Sequence, residues 1–410
     1  MAKILHITAH LGGGVGRALS QLALHDTTHD HAFLCLEPPE KPEIPERLKQ
    51  AGIPVTIAPR REDAEPLLQD ADILQIEWWH HPLMLAWLCA APLHGRLLFW
   101  SHTSGLHYPA FAPGMTALPH RFVFTSAASC NAPHAGEHTY VVPSSGGLDD
   151  FPLRPECTPP SPLRYGYVGS LNPAKLHPEF ATYLDAVPRE DFSVACYGDI
   201  VPDSPAHRTT RARIMGFHSD PAEVYAGLEV LVYLLHPLHY GTTENALLEA
   251  MACGVVPIVG PHAVETSIVK HGETGLVVDS PAAFAEAATY LEDHPEAWRA
   301  MSRAATQDIR QRFSLGHTLH ALGAHYAALL QEPPRSCAFT QVFGTTPETW
   351  FLRGMGGYSN LFTADRTTRL RYPFLYETHK SSARHFLQYF PDSPALQRMV
   401  RILEEDQHAD

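Results

Sequence analysis

The feature that most constrains the fold is a repeated alternation of short apolar runs with longer amphipathic stretches. Several runs are continuously apolar, which is typical of parallel strands covered by helices on both faces. The alternation stops and then starts again in the second half of the chain. It predicts the α/β class, with two doubly wound, Rossmann-like sheets. The predicted strands are 4–9, 32–36, 55–58, 73–77, 97–101, 122–125 and 140–142, then 164–169, 193–198, 213–217, 230–235, 255–260 and 275–278.

The boundary between the two series is rich in proline. The stretch FPLRPECTPPSP at 151–162 cannot continue a helix or a strand, and it predicts an interdomain linker. The 410 residues suffice for two large domains and an appendage. The appendage is rich in aromatic residues, so we expect it to pack on the body of the protein. The predicted parts are an N-terminal domain at 1–153, a linker at 154–162, a C-terminal domain at 163–316, a helix at 317–331 and an extension at 332–410.

Charge and cysteine usage exclude some classes of partner. The formal net charge of −14 should repel nucleic acid and anionic membranes. The seven cysteines form an odd set without a C-x-x-C pair, which favours reduced thiols in the cytoplasm. The apolar stretch at the N-terminus is too short and too polar for a signal peptide. The most apolar window, 82–100, contains Pro92 and Arg96, so we expect no transmembrane segment.

A glycine-rich turn follows the first predicted strand. The residues LGGGVGR at 11–17 lead into an amphipathic helix that we expect to begin near Ala18. Such a turn lets backbone N–H groups approach a phosphate at the positive end of a helix, so Gly13, Gly14, Gly16 and Arg17 are candidate binding residues. The spacing is not that of the dinucleotide fingerprint. A tight turn that binds no ligand is the alternative.

The most informative segment contains HYGTTENALLEAMACGVVPIV, at 239–259, followed by HGETGLVVD. This segment resembles the C-terminal half of retaining nucleotide-sugar glycosyltransferases of the GT-B fold, specifically glycosyltransferase family four (glycosyl transferases group 1). GFHSDPAEVYAGLEVLVYLLHP, VVPSSGGLDDFP and YGYVGSLNPAK also resemble that family, as do GGGVGRALSQLA, QIEWWHHPL and FWSHTSGLH in the first half. The resemblance runs from about residue 3 to 330 and leaves the extension unmatched.

The resemblance implies a nucleoside diphosphate sugar donor held by the second domain, with no further cofactor. Glu249 would accept hydrogen bonds from the ribose hydroxyls, and the free N–H groups at the start of its helix, near Thr243 or Glu244, would face the diphosphate. An ordinary solvated helix glutamate is the alternative for Glu249. Lys175 would neutralise the diphosphate, and Gly216 and Phe217 would border the nucleobase. The remaining candidates at the helix start are Tyr240, Gly241, Thr242 and Thr243.

The sequence departs from the family pattern at two positions. Gly241 stands where the family has a glutamate that contacts the donor sugar, and Glu244 is the nearest spare carboxylate. Ser170 stands where the family has an arginine that neutralises the diphosphate. Sugar recognition would then depend on a shifted role for Glu244, His239 or Tyr240, or for Arg17 at the phosphates. We take Glu244 as a candidate catalytic residue.

His102 is the candidate site residue of the first domain. It closes the predicted strand in FWSHTSG, and the resemblance implies a histidine beside the reacting sugar. A hydrogen-bonded structural histidine is the alternative. Trp78, Trp79 and the histidines at 80, 81 and 107 could contact an acceptor or belong to the core. Because no H-E-x-x-H, C-x-x-C or Asp-x-Asp pattern accompanies these histidines, we expect no metal site.

The resemblance thus implies a metal-independent, retaining glycosyltransferase of hexosyl type. It would move a sugar to a glycan, lipid or protein acceptor in glycan or glycoconjugate assembly. We expect it in the cytoplasm, with peripheral attachment to the inner membrane face and homodimer formation left open. A non-catalytic GT-B protein that binds a sugar nucleotide or a partner glycosyltransferase is the main alternative. A GT-B epimerase or phosphorylase is the third possible function.

Overall fold

The computed structural model describes residues 1–39, 42–145, 147–154 and 159–408. Contacts divide the chain into two compact units. The first unit comprises residues 1–146, 240–242 and 318–410, and the second comprises residues 147–239 and 243–317. The short segment 240–242 therefore groups with the first unit, although it lies within the second in sequence.

The first unit is built on a parallel sheet with helices between its strands. Its strands are β1 (Ala2–Thr8), β2 (His29–Cys35), β3 (Val55–Ile57), β4 (Ile73–Trp78), β5 (Leu93–Gly95), β6 (Leu97–Ser101), β7 (Arg121–Phe124) and β8 (Thr139–Val141). Its first helices are α1 (Gly13–His25), α2 (Glu43–Gln50), α3 (Arg61–Asp70) and α4 (Pro82–Ala90). The seven-stranded order is β3-β2-β1-β4-β6-β7-β8, and every neighbouring pair is parallel.

The second unit repeats this architecture. Its strands are β9 (Tyr165–Val168), β10 (Val194–Tyr197), β11 (Ala212–Gly216), β12 (Val230–Tyr233), β13 (Val256–Val259) and β14 (Leu276–Val277). Its helices are α5 (Phe180–Asp185), α6 (Pro221–Ala226), α7 (Asn245–Ala252), α8 (Ala263–Ile268), α9 (Pro281–Asp293) and α10 (Pro295–Arg312). The sheet order is β11-β10-β9-β12-β13-β14, and all pairs are parallel.

The C-terminal part of the chain packs on the first unit. It comprises α11 (Leu315–Leu330), β15 (Arg335–Cys337), α12 (Thr340–Phe343), α13 (Pro347–Met355), α14 (Arg366–Arg369), α15 (Ala383–Tyr389) and α16 (Pro394–His408). Short 3-10 helices lie at Met115–Ala117, Ala127–Asn131, Leu148–Asp150, Pro205–Arg208, Gly356–Thr363 and Pro373–Tyr376. β15 pairs antiparallel with β5. The ring of Phe343 stacks on Trp78, with centroids 5.5 Å apart. The aromatic content of this segment is thus used for packing.

One face of the first sheet carries a large apolar cluster between the strands and the helices α1 and α11. Ile4, Phe33, Ile73 and Leu98 come from four neighbouring strands and are buried. Helices α1 and α11 cover them with Leu19, Leu22, Leu322, Tyr326 and Leu329. Burial of this apolar area is the main force that holds helices on the sheet.

Every predicted strand coincides with an observed strand, and the predicted α/β class with two doubly wound sheets is confirmed. The domain bounds differ from the expected ones, since the second unit begins at residue 147 and not after 153. Two contacts tie residues 147–154 to the second unit. The rings of Phe151 and Tyr225 lie 6.0 Å apart, and Arg154 pairs with Glu229 at 2.9 Å. The predicted linker overlaps residues 155–158, which lie outside the described residues.

Candidate functional site

The second unit collects polar groups at the carboxyl ends of its parallel strands. Lys175 lies beyond β9, Gly216 ends β11, and α7 begins after the segment that follows β12. Because all strands of this sheet are parallel, these chain segments emerge at the same edge of the sheet. Open α/β sheets bind their ligands at that edge.

The start of α7 carries polar atoms that are buried without a hydrogen-bond partner among the described residues. They are Oγ1 of Thr243, Oε1 of Glu244 and Oδ1 of Asn245. Glu244 is the residue before the helix, and its φ of 49° lies in the left-handed region, which is strained for a residue other than glycine. Unpartnered buried polar atoms and local strain are costly, and they concentrate at functional sites.

Glu244 is paired with Lys175. Nζ of Lys175 donates to Oε2 of Glu244 at 2.7 Å, and the Tyr233 hydroxyl donates to the same oxygen. The lysine and the glutamate are 9% and 7% exposed. Burial alone would raise the pKa of Glu244, but the charges of Lys175 and His239 and the hydrogen bonds from Lys175 and Tyr233 together outweigh burial and hold this pKa below its usual value. The buried carboxylate is therefore ionised and holds the lysine beside the start of α7.

His239 lies between two buried carboxylates. Its Nδ1 is 3.6 Å from Oε1 of Glu244, and its Nε2 is 3.1 Å from Oε1 of Glu265. Ligand atoms of these three side chains lie within 4.8 Å of one another, close enough to hold a metal ion. The carboxylate oxygens that face the two ring nitrogens have no hydrogen-bond partner among the described residues. We assign no metal role to the group.

Glu249 and Phe217 belong to different elements of the second unit. Glu249 is on the second turn of α7 and accepts a hydrogen bond from the Tyr225 hydroxyl at 3.2 Å. Phe217 directly follows the edge strand β11 and is 63% exposed. Gly216 before it has a φ of 78°, a conformation that favours glycine. The helix predicted to start near Thr243 or Glu244 begins at Asn245.

Residues 240–242 contact the first unit, to which they belong. The Ser104 N–H donates to the Tyr240 carbonyl at 3.4 Å, and the Thr242 and Thr125 hydroxyls are 2.9 Å apart. Nζ of Lys380 lies 5.6 Å from the centre of the Tyr240 ring. The predicted binding residues are thus divided. Tyr240, Gly241 and Thr242 group with the first unit, and Thr243, Glu244 and Glu249 group with the second.

The glycine-rich turn of the first unit is helical earlier than predicted. Helix α1 begins at Gly13 and not near Ala18, so Gly13, Gly14, Gly16 and Arg17 form its first turns. A Cβ on Gly16 would lie 2.6 Å from the Leu11 carbonyl carbon, so only glycine lets the helix approach the end of β1 so closely. Gly13 and Gly14 are exposed at the helix start, where the first N–H groups have no intrahelical acceptor.

His102 directly follows β6, and its side chain contacts a buried carboxylate that sequence reasoning missed. Its Nε2 contacts Oε2 of Glu77 at 2.8 Å, and the two side chains are 3% and 0% exposed. Glu77 lies on β4, two residues after Gln75. The signal was present in the sequence, because Gln75 and Glu77 are polar residues at alternate positions of an otherwise apolar strand and therefore share one face.

The aromatic residues near His102 are divided between the core and the surface. Trp78 is 1% exposed, so it packs in the core and cannot contact an acceptor. His80 is also 1% exposed, and burial lowers its pKa to about 3. Trp79 is half-buried. Nδ1 of His107 is 3.2 Å from the Tyr358 hydroxyl in the C-terminal segment.

A second group with metal-ligand spacing lies at the end of α1 and the start of β2. Asp26, His29 and His31 offer atoms within 4.8 Å of one another. Oδ2 of Asp26 accepts from Nδ1 of His29 at 2.8 Å and from Nε2 of His31 at 3.0 Å. These hydrogen bonds account for the cluster without an ion. The expectation that the protein needs no metal remains a prediction.

Comparison with known proteins supports the family resemblance. Residues 162–294, about a third of the chain, match the family described as glycosyl transferases group 1. No curated protein matches the chain significantly in sequence. In the described part of the chain, none of the helices has the length and apolar character required to cross a bilayer.

Solved structures extend the likeness to both units. The structure of Anabaena HepE in complex with UDP is 15% identical, with a TM-score of 0.62, and the match covers 80% of this chain and 100% of that one. A glycosyltransferase from Rickettsia africae is 15% identical, with a TM-score of 0.62 and coverage of 81% and 99%. Sucrose-phosphate synthase from Thermosynechococcus elongatus is 16% identical, with a TM-score of 0.60 and coverage of 80% and 99%. The predicted GT-B fold and the resemblance to GT-B glycosyltransferases are confirmed.

Proposed function

We propose that this chain, whose residues 162–294 match the glycosyl transferases group 1 family, moves a sugar from a nucleoside diphosphate sugar to an acceptor hydroxyl with retention of anomeric configuration. Apart from residues 240–242, the family match lies in the second unit, where we place the donor. The complex of HepE, a protein with the same fold, with UDP supports a uridine or related nucleotide as the carrier of the sugar. The hexosyl class of the sugar and the absence of a metal requirement are parts of the same proposal.

The observation that carries the proposal is the environment of Lys175 and the start of α7. A buried lysine, a helix N-terminus and unpartnered polar atoms lie at the ligand-binding edge of one sheet. Lysine ammonium groups and helix N-terminal amides both bind phosphate. In the proposed complex, Lys175 exchanges Glu244 for the diphosphate and stabilises the leaving group as the bond to the sugar breaks.

The other donor contacts follow from side-chain chemistry. Glu249 accepts hydrogen bonds from the ribose hydroxyls, with the Tyr225 hydroxyl holding its carboxylate at 3.2 Å. The exposed Phe217 ring offers a flat apolar face to the nucleobase, and Gly216 lets the chain turn beside it. Glu244, released from Lys175, is the nearest carboxylate for the sugar hydroxyls.

His102 of the first unit is proposed to contact the acceptor. The acceptor hydroxyl attacks the anomeric carbon on the face from which the diphosphate leaves, and the hydroxyl proton passes to the departing phosphate oxygen. Within the first unit, the exposed N–H groups at the start of α1, with Arg17, are proposed to bind a phosphate. A glycan, lipid or protein can provide the hydroxyl, and glycan or glycoconjugate assembly is the proposed setting.

A non-catalytic donor-binding protein is the second candidate, and two residues favour it. Gly241 and Ser170 replace side chains that, by the resemblance, would contact the sugar and the diphosphate. Binding of a nucleotide sugar without release of free nucleotide, across a panel of donors and acceptors, would establish this candidate and exclude the enzyme.

The proposal is tested by the shift in melting temperature with UDP, GDP, ADP and their sugars. A ligand that binds only the folded state raises stability by mass action, about 2.7 kcal/mol at a hundredfold excess over Kd. We expect one nucleotide to give the largest shift and Glu249→Ala to abolish it. Glu286→Ala, which removes an exposed glutamate from helix α9 of the same unit, is the matched control. A full shift in Glu249→Ala would refute the ribose assignment.

A further inference from the structure

A chain of hydrogen-bonded ionisable side chains leads to His102 through the first unit. Oδ2 of Asp26 contacts Nε2 of His31 at 3.0 Å, and Nδ1 of His31 contacts Nε2 of His6 at 2.8 Å. Nδ1 of His6 contacts Oε1 of Glu77 at 2.7 Å, and Oε2 of Glu77 contacts Nε2 of His102 at 2.8 Å. We call these five side chains the histidine chain.

The histidine chain crosses four neighbouring strands under an apolar layer. It runs from the end of α1 through β2, β1 and β4 to the end of β6, in the order of the sheet. His6 and Glu77 are 0% exposed, and the His6 ring stacks on Phe33 with centroids 4.7 Å apart. Burying polar groups in such a layer is costly unless each is hydrogen-bonded, and an apolar core would avoid that cost. The presence of the histidine chain under this layer therefore needs a reason other than packing.

Counting protons fixes the charge of the histidine chain. Each of its four contacts needs one proton, and three neutral imidazoles provide three. With both carboxylates ionised, one imidazole must therefore be a cation. Burial would raise the pKa of Glu77, but the hydrogen bonds from His102 and His6 outweigh it and hold this pKa below its usual value. The same reasoning applies to Asp26, whose pKa the bonds from His31 and Thr28 lower against the effect of burial.

The extra proton lies on His31 or His6, because these two rings make three of the four contacts and would provide only two protons if both were neutral. In either arrangement His6 donates Nδ1–H to Glu77. The other ionisable groups that face the histidine chain are His29, which also donates to Asp26, and Tyr326 of α11. The Tyr326 hydroxyl donates to Gln75 at 2.6 Å, and Gln75 donates to Oε1 of Glu77 at 2.8 Å.

We propose that Glu77, fixed by hydrogen bonds from His6 and Gln75, is a positioning residue that holds His102 as one tautomer, with Nε2–H donated to Glu77. This inference rests on the proposed function, since it adds a residue to the site of sugar transfer. Glu77 accepts from His6 and Gln75 through one oxygen and from His102 through the other, so its plane is fixed. The remaining ring nitrogen of His102, Nδ1, is then the acceptor that orients a substrate hydroxyl through a hydrogen bond.

The first test requires no substrate. Hydrogen bonds between buried imidazoles and carboxylates give strongly downfield exchangeable proton resonances, and we expect them in the protein without ligands. Glu77→Gln should remove at least one of the resonances of the His6 and His102 contacts and move the other upfield, because an amide accepts through one atom only and carries no charge. Asp406→Asn is the control, since Asp406 is a buried carboxylate in α16, outside the histidine chain, that pairs with Arg369 at 2.6 Å. Both resonances unchanged in Glu77→Gln would overturn the proposal.

The second test uses the reaction. Glu77→Gln should lower kcat at least about tenfold with little change in KM, and the acid limb of the kcat profile should move to lower pH because the ring loses its carboxylate. Compared with Glu77→Gln, Glu77→Asp should recover part of kcat, and the acid limb of its kcat profile should return to the wild-type pH. In Asp406→Asn the profile should keep its position even if the protein melts earlier. A Glu77→Gln enzyme with the wild-type profile would refute the positioning role. Intact resonances in a protein that transfers no sugar would refute the proposed function and leave the tautomer assignment standing.

Discussion

At the scale of single residues, the pair of Lys175 and Glu244 is the most consequential contact. Both side chains are buried, and their atoms are 2.7 Å apart. Removing one member of a buried pair leaves an uncompensated charge, which typically costs 3–5 kcal/mol. If Lys175 exchanges partners on donor binding, the complex must supply Glu244 with hydroxyl donors from the sugar. In the proposed complex, the pair would therefore couple occupancy of the donor site to the stability of the second unit.

Lys175→Met tests this coupling through stability alone. We expect it to lower the free energy of unfolding by about 3 kcal/mol at pH 8, and by less at pH 5, because Glu244 can then protonate. Adding Glu244→Gln should recover most of the loss without restoring nucleotide binding. Urea unfolding followed by fluorescence measures both effects.

The matched control for this prediction is Lys270→Met. Lys270 pairs with Asp308 at 2.9 Å, but its side chain is 49% exposed, and solvent screening limits such pairs to about 1 kcal/mol or less. Equal losses in the two lysine variants would show that the Lys175 pair does not behave as a buried one.

At the scale of elements, the turn that joins β1 to α1 depends on glycine. Gly16→Ala would place a Cβ 2.6 Å from the backbone of Leu11 and push the helix away from this turn. We expect a loss of stability of about 1–3 kcal/mol, as in other overpacked sites. Gly13→Ala meets no atom within 4 Å but has a φ of 59°, so its cost should be about 1 kcal/mol. Thermal melting compares them, and a larger loss in Gly13→Ala would contradict the packing argument.

The same elements show what the sequence could and could not predict. The strands were predictable because parallel strands buried on both faces leave continuous apolar runs. The start of α1 was missed because three consecutive glycines have low helix propensity, and packing against β1 overrides it. The β5 and β15 pair was missed because each strand has three residues and the two lie far apart in sequence.

The candidate site was predicted in part for a related reason. Lys175 and Glu244 were named from family resemblance, but their contact depends on tertiary structure. Glu77 and His6 could have been noticed as polar residues within apolar strands. Their link to His102 required the order of the strands, which the apolar pattern does not specify. The assignment of 240–242 to the first unit was also beyond the sequence, because it rests on contacts such as that between Thr242 and Thr125.

At the scale of the whole molecule, the C-terminal segment is attached to the first unit through buried histidines. The rings of His81 and His385 lie 4.8 Å apart, and that of His80 lies 5.8 Å from Phe386. Burial lowers the pKa of His80 to about 3 and that of His81 to about 2. Burial likewise lowers the pKa of His385 to about 4. All three are therefore neutral in the folded protein near pH 7.

Acid should therefore weaken this attachment well above the range where carboxylates titrate. In the unfolded chain these imidazoles protonate near pH 6.5, whereas the folded protein keeps them neutral down to their lowered pKa values. Between about pH 6.5 and 4 the unfolded state binds more protons, so stability falls as the pH falls, by about 1.4 kcal/mol per unit for each histidine. Hydrogen exchange at pH 7 and 5 should show the segment after residue 332 losing protection first.

His385→Asn isolates one of these protons. Asparagine can accept the Ser381 N–H that now donates to Nδ1 of His385 at 3.2 Å, but it cannot be protonated. The variant should be less stable at pH 7, because some packing is lost. On acidification its free energy of unfolding should fall less steeply than that of the unmodified protein, and the difference in slope should correspond to about one proton. His320→Gln, at an exposed position of α11, should keep the full slope. Equal slopes in His385→Asn and the unmodified protein would mean that His385 remains neutral on unfolding or is already charged in the folded state, and the segment would then have to be held by its aromatic contacts alone.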